Sequence, residues 1–220
     1  MSFKEDGFEI IEGIISAEEA ETIKCELAAI AFKGGGGIRN AEKKLQTVAR
    51  LAKSDKLITL ASKYLSGKAR IVRSILFIKS IQNNWLVSWH QDKTVALSEK
   101  ICSPEWGPWS RKDGVLHAQP PVEVLNQLVT FRVHLDDSTL ENGCLKVIPN
   151  SHKEGILLPD SIKRYLKTWG AVHCEAPMGS ALVMRPHILH ASNKAESSQP
   201  RRVLHIEYSS YKLPPGIQWA

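Results

Sequence analysis

Hydrophobic positions change rhythm once along this chain, near residue 69. Before that point they recur every three or four residues. Ala20, Ile23, Leu27, Ile30 and Ala31 share one face of a helix predicted over 17–32. Ser16, with Glu19 three residues on, forms a capping box at its start. Gly34 to Gly37 are expected to end that helix in a flexible loop. More helix is expected within 41–65, which includes LITLASKYL, and GFEII at 7–11 reads as a short strand.

After residue 69 the apolar residues come in short β-branched and aromatic runs bounded by turns. RIVRSILFIKS opens the series, and LVSWHQD follows an Asn83-Asn84 turn. LVTFRVHL (128–135), CLKVIP (144–149), AVHCEA (171–176), SALVMR (180–185), ILHAS (188–192) and RVLHIEYS (202–209) continue it, with one helix at 159–168. Residues 98–121 show no clear period, and Trp106 and Trp109 argue for an ordered loop over a pocket. Such a run of short strands predicts a mainly β fold, a sandwich or barrel, with the N-terminal helices packed outside it. The expected organisation is one domain over 1–220, with a mainly helical elaboration at 1–68 and the β core at 69–212.

Composition narrows the function classes only a little. The net charge of +6 is spread along the chain, and its densest groups are Lys43-Lys44 and Arg201-Arg202. That pattern reads as a solvated surface and argues against a nucleic-acid partner; attraction to an anionic substrate is the minor reading. Cys25, Cys102, Cys144 and Cys174 have no zinc spacing and read as free buried thiols in a reducing compartment. The opening MSFKEDGFEI does not read as a signal peptide, and no run approaches a membrane span. The expectation is a soluble, cytoplasmic protein without a membrane partner.

The candidate chemistry lies in histidine and acidic residues two apart. Residues i and i+2 of a strand face the same way, so H-x-D or H-x-E can offer an imidazole and a carboxylate to one ion. This chain has five such pairs, at His90/Asp92, His134/Asp136, His152/Glu154, His173/Glu175 and His205/Glu207. Each alone is more often a surface pair or a satisfied core histidine. His152 lies in a turn-like segment, and His173 and His205 lie mid-strand with no histidine and arginine following at a useful interval. His90/Asp92 and His134/Asp136 both precede His190 and Arg201. Two imidazoles and one carboxylate are the ligands of a non-haem Fe(II) oxygenase site with open positions. His187 rivals His190, but the two lie three positions apart and would face opposite ways in a strand. Arg201 and Arg202, being adjacent, would also face opposite ways.

The texts WHQD at 89–92, LDDSTLENGCLKVIPNSHKEG at 135–155, GSALVMRPHILHASN at 179–193 and PRR at 200–202 resemble the phytanoyl-CoA dioxygenase family of Fe(II)/2-oxoglutarate-dependent oxygenases. The opening GFEIIEGIISAEE is similar to the family's N-terminal pattern, so the likeness covers most of the chain. It implies a double-stranded β-helix, or jelly roll, with H-x-D on core strand II, the second histidine on VII and an arginine on VIII. Four strands must then separate H-x-D from the second histidine. Starting from His90/Asp92 there are four; starting from His134/Asp136 there are three. The resemblance therefore implies iron ligation by His90, Asp92 and His190. It implies binding of 2-oxoglutarate by Arg201, with Ser192 beside it and Arg132 on the same wall. A buried arginine at 132 needs an anion, and the cosubstrate, a substrate carboxylate or a structural partner would each serve.

The implied reaction consumes O2 and 2-oxoglutarate, releases succinate and CO2, and hydroxylates an unactivated C–H of a small organic substrate, with ascorbate as activator. Related halogenases carry a small residue in place of the carboxylate, so Asp92 favours hydroxylation. The rival readings are a dioxygenase acting on nucleic acid or protein, and a non-catalytic cupin-like module that binds a metal or sugar. The substrate and the oligomeric state stay open.

Overall fold

The computed structural model describes residues 2–30 and 35–220. In chain order the elements are α1 (Phe3–Asp6), β1 (Phe8–Ile11), α2 (Ala17–Ala28), β2 (Ile38–Arg39), α3 (Ala41–Lys44), α4 (Gln46–Ala52) and α5 (Asp55–Lys63). There follow β3 (Arg70–Lys79), β4 (Val87–His90), β5 (Val95–Leu97), β6 (Trp109–Lys112), β7 (Val115–Ala118), α6 (Val122–Leu125) and β8 (Leu128–His134). Then come β9 (Leu145–Val147), α7 (Pro159–Thr168), β10 (Val172–Cys174), β11 (Ala181–Met184), β12 (His190–Ser192) and β13 (Arg201–Ser209).

Eight of these strands build a double-stranded β-helix. β11, β8, β13 and β3 lie side by side in one antiparallel sheet, and β10, β9, β12 and β4 form the facing one. β1 and β2 extend the first sheet at its two edges, so the N-terminal region contributes strands as well as helices. The helices cover the outer face of that sheet. Ala20, Ile23, Leu27, Val48 and Leu57 share one core with Val129, Phe131, Val133, Leu204, Ile206 and Tyr208 from the strands. The capping box at Ser16 and Glu19 closes with both of its hydrogen bonds.

Three expectations need correcting. Cys144 and Cys174 are buried, but Cys25 and Cys102 are exposed, Cys25 because it lies off the Ala20–Ile23–Leu27 face of α2. Helix α2 stops at Ala28, short of residue 32, once its last apolar contact at Leu27 is made; Ala31, Phe32 and Gly34 lie outside the described residues. The segment 98–121 is not a plain loop. It contains the hairpin β6–β7, closed by a two-residue turn in which Asp113 and Gly114 both have positive φ (48° and 81°). Asp-Gly is the residue pair such a turn prefers, because both of its central positions need left-handed backbone. β7 pairs with β5, and Trp106 packs with Val95, Leu97 and Ala118 beneath this small third sheet.

Candidate active site

The antiparallel pairing of β12 with β4 sets His190 opposite His90. Their ring centroids are 4.2 Å apart. Each Nδ1 lies 2.8 Å from a backbone carbonyl, that of Ser88 for His90 and that of Ile188 for His190. A carbonyl only accepts, so each Nδ1 carries the proton and donates it. In the neutral ring each Nε2 then keeps its lone pair, and both Nε2 atoms lie near Asp92, 3.6 Å from Oδ1 for His90 and 3.5 Å from Oδ2 for His190. One ligand atom from each of the three residues lies within 4.8 Å of the others. A second hydrogen bond that fixes tautomer and ring orientation is the usual support of a metal-binding histidine. Burial pushes the Asp92 carboxyl up, but the facing His190 and His90 rings, when protonated, outweigh it and hold the group well below the usual carboxylate range.

The rival residues go elsewhere. β8 ends at His134, so strand alternation no longer governs Asp136, which turns out to pair with Arg202. His134 stays buried, with neither ring nitrogen paired. His187 is buried against His152, with ring centroids 6.2 Å apart. Arg201 and Arg202 do part company: Arg201 is buried inward, and Arg202 binds Asp136.

His90, Asp92, His190, Arg132, Ser192 and Arg201 all line one cavity of about 190 Å³. That is roughly the liquid volume of six waters. A larger concavity of about 570 Å³ beside α2 and α4 gathers no ligand set of this kind among the described residues. Arg201 donates to the carbonyl of Asn142 at 3.3 Å and to Ser192 Oγ at 3.4 Å, both long and both to neutral acceptors. Next to it stands Lys79, a residue the sequence reading missed. Lys79 lies opposite Arg201 in the β3–β13 register. Its Nζ donates to Ser192 Oγ at 2.9 Å and to the carbonyl of Asn193. Burial together with Arg201 and Arg132 pushes its ammonium down to about 8. The one available signal was a lysine ending the apolar run Ile75–Ile78 of β3. None of Lys79, Arg132 and Arg201 has a carboxylate partner among the described residues, although each is at least 94% buried.

A hydrogen-bonded row continues from Arg132 along the inner face of the same sheet. Arg132 Nη1 lies 3.1 Å from His205 Nδ1, His205 Nε2 lies 3.0 Å from Glu207 Oε1, and Arg73 Nη2 donates to that oxygen at 2.7 Å. By position His205/Glu207 is only a mid-strand pair, yet a nitrogen of His205 and an oxygen of Glu207 come within 4.8 Å of an Asp92 oxygen. His117, on β7 and buried, has an unpaired Nδ1 and is pushed down to about 4 by burial and by Arg73. The 98–121 segment thus comes near this row, while none of its residues lines the cavity.

Fold and site together define the class: a jelly roll with two imidazoles and a carboxylate at its mouth, the architecture of metal-dependent oxygenases. The phytanoyl-CoA dioxygenase family model matches residues 3–203. The chain belongs to that family, and so to the Fe(II)- and 2-oxoglutarate-dependent oxygenases. It is similar to L-proline trans-4-hydroxylase of Streptomyces griseoviridis, 27% identical over an alignment of 232 positions that covers 94% of this chain and 77% of the relative. Among solved structures, AviO1 of Streptomyces viridochromogenes Tue57 matches with a TM-score of 0.71 and 20% identity over 97% of this chain and 94% of its own. HygX of Streptomyces hygroscopicus, solved with nickel, 2-oxoglutarate and hygromycin B bound, matches with a TM-score of 0.66 and 17% identity over 94% and 84%.

Proposed function

We propose that this protein binds a ferrous ion through His90, Asp92 and His190, binds 2-oxoglutarate, and hydroxylates an unactivated C–H of a small organic substrate. The observation that carries the reading is the pairing of two unmatched features in one cavity. A three-atom N,N,O donor set with open positions stands at one end. Buried cations without anions stand at the other. A dicarboxylate with one end on the metal and the other on Arg201 would satisfy both.

The donor chemistry fits iron, since imidazole and carboxylate without thiolate suit a non-haem Fe(II) centre. Bound iron supplies activation of O2 and the oxidative decarboxylation that yields succinate and CO2. The rest falls to the protein. Ser88 and Ile188 carbonyls hold the two imidazoles with Nε2 facing inward. Arg201 presents a planar fork to the remote carboxylate, with Lys79 and Ser192 beside it, and Arg132 lies on the same wall. His190, Ser192, Arg132 and Arg201 are buried, so the inner part of the cavity is screened from bulk water. Ascorbate would serve as an external reductant that keeps the metal ferrous. A small substrate accords with the relative that acts on L-proline.

Succinate release under Fe(II), ascorbate and 2-oxoglutarate, across a panel of small substrates, tests the reading. Stimulated release that a chelator abolishes is expected. A protein that binds metal but not 2-oxoglutarate would instead be a binding module.

A further inference from the structure

The cavity carries more positive charge than the proposed cofactors remove. Arg132 and Arg201 line it together with the single carboxylate of Asp92, and buried Lys79 stands beside Arg201, sharing Ser192 with it, while Arg73 and Glu207 pair with each other. A ferrous ion adds two charges and dianionic 2-oxoglutarate takes two away, so the surplus is unchanged. Buried charge without a counter-charge is costly. One cation is also left without a task. The remote carboxylate of the cosubstrate would be met by Arg201 and Lys79, and the near one by the metal. Arg132 remains.

Its surroundings hold it in place without neutralising it. A guanidinium only donates, so His205 Nδ1 accepts from Arg132 Nη1 at 3.1 Å and the imidazole proton sits on Nε2. That proton goes to Glu207 Oε1 at 3.0 Å, an oxygen also held by Arg73. Arg132 is therefore anchored through a neutral ring, and the face of Phe77 packs 5.2 Å from its carbon centre. Its Nε and Nη2 donors have no partner among the described residues, and the side chain lines the cavity. The Nε–Nη2 edge is a pair of parallel N–H donors, the geometry that grips an oxyanion by two bonds.

We propose that the primary substrate carries a carboxylate or another small oxyanion, and that the free Nε–Nη2 edge of Arg132 binds it, with His205 as the positioning residue. This rests on the oxygenase reading above and assigns the substrate class of that same site.

Two measurements test it. The first is calorimetric titration of 2-oxoglutarate into the Mn(II)-loaded protein. Arg132→Gln should bind it within about threefold of the parent, whereas Arg201→Gln should be weaker by about tenfold or more. The second is succinate release with short-chain amino acids, carboxylic acids and phosphonic acids, each beside its neutral amide or ester. The acids should stimulate release about tenfold more than their neutral partners, and Arg132→Gln should erase the difference. Arg132→Lys should keep part of it. His205→Ala should raise KM for the acid and leave 2-oxoglutarate binding unchanged. Weakening of 2-oxoglutarate by Arg132→Gln to the extent seen with Arg201→Gln would overturn the proposal, making Arg132 a cosubstrate residue. Equal stimulation by acids and amides, or no stimulation by any acid while 2-oxoglutarate binds, would also overturn it, and needs no variant to fold. Failure of the parent protein to bind 2-oxoglutarate at all would remove the oxygenase reading and this proposal with it.

Discussion

Along β13 successive residues enter two different environments. Leu204, Ile206 and Tyr208 point outward into the core beneath the N-terminal helices. Arg201, His205 and Glu207 point into the barrel, equally buried but charged or polar. β8 repeats the division, with Val129, Phe131 and Val133 outside and Thr130, Arg132 and His134 inside. The outer face buries apolar area and stabilises the fold. The inner face carries ions whose desolvation opposes folding. A barrel lined this way trades stability for binding capacity, and its robustness comes from the other side of the same strands.

Substitutions on the two faces should therefore fail in different ways. The largest effect is expected at the donor set: Asp92→Ala should abolish iron-dependent succinate release while the circular dichroism spectrum stays native. Full turnover by that variant would refute ligation by Asp92. Next, Phe131→Ala on the outer face should cost about 3–5 kcal/mol in denaturant unfolding, the usual range for a fully buried phenylalanine. A loss below about 1 kcal/mol would mean that the helical layer contributes little.

Arg201→Met sharpens the contrast further. It should raise the 2-oxoglutarate requirement by about tenfold to a hundredfold, the worth of one or two charge-assisted bonds. Unfolding stability should stay level or rise, because an apolar side chain replaces a buried ion. A large destabilisation would show that the inner face also holds the fold together. The smallest effect concerns pH. Burial with Arg201 and Arg132 brings Lys79 down to about 8. Its ammonium is charged below that value and neutral above it, so 2-oxoglutarate affinity should fall as pH rises through about 8. Lys79→Met should flatten that profile in calorimetric titrations at several pH values.

Much of this was legible before any coordinates. The alternation in LVTFRVHL and RVLHIEYS marks strands, and the spacing in WHQD and ILHAS narrows the donors to few combinations. The Asp113-Gly114 turn was legible too, as a hairpin signal overlooked inside an aperiodic stretch. Other features had no local signature. Nothing near Lys79 says that it faces Arg201, since the two are joined only through the register of β3 with β13. His205/Glu207 looked like one more chance pair until Arg73 and Arg132 closed on it from neighbouring strands.

The chain by itself determined the kind of element most periodic segments form and the side of each strand on which a residue falls. Both follow from backbone periodicity and from the residues flanking each run. Only the tertiary structure decided which inward-facing groups meet. Strand pairing brings together residues more than a hundred positions apart, as with Lys79 and Ser192. Whether a buried cation finds a counter-charge depends on those neighbours in space, and here three of them find none within the described chain.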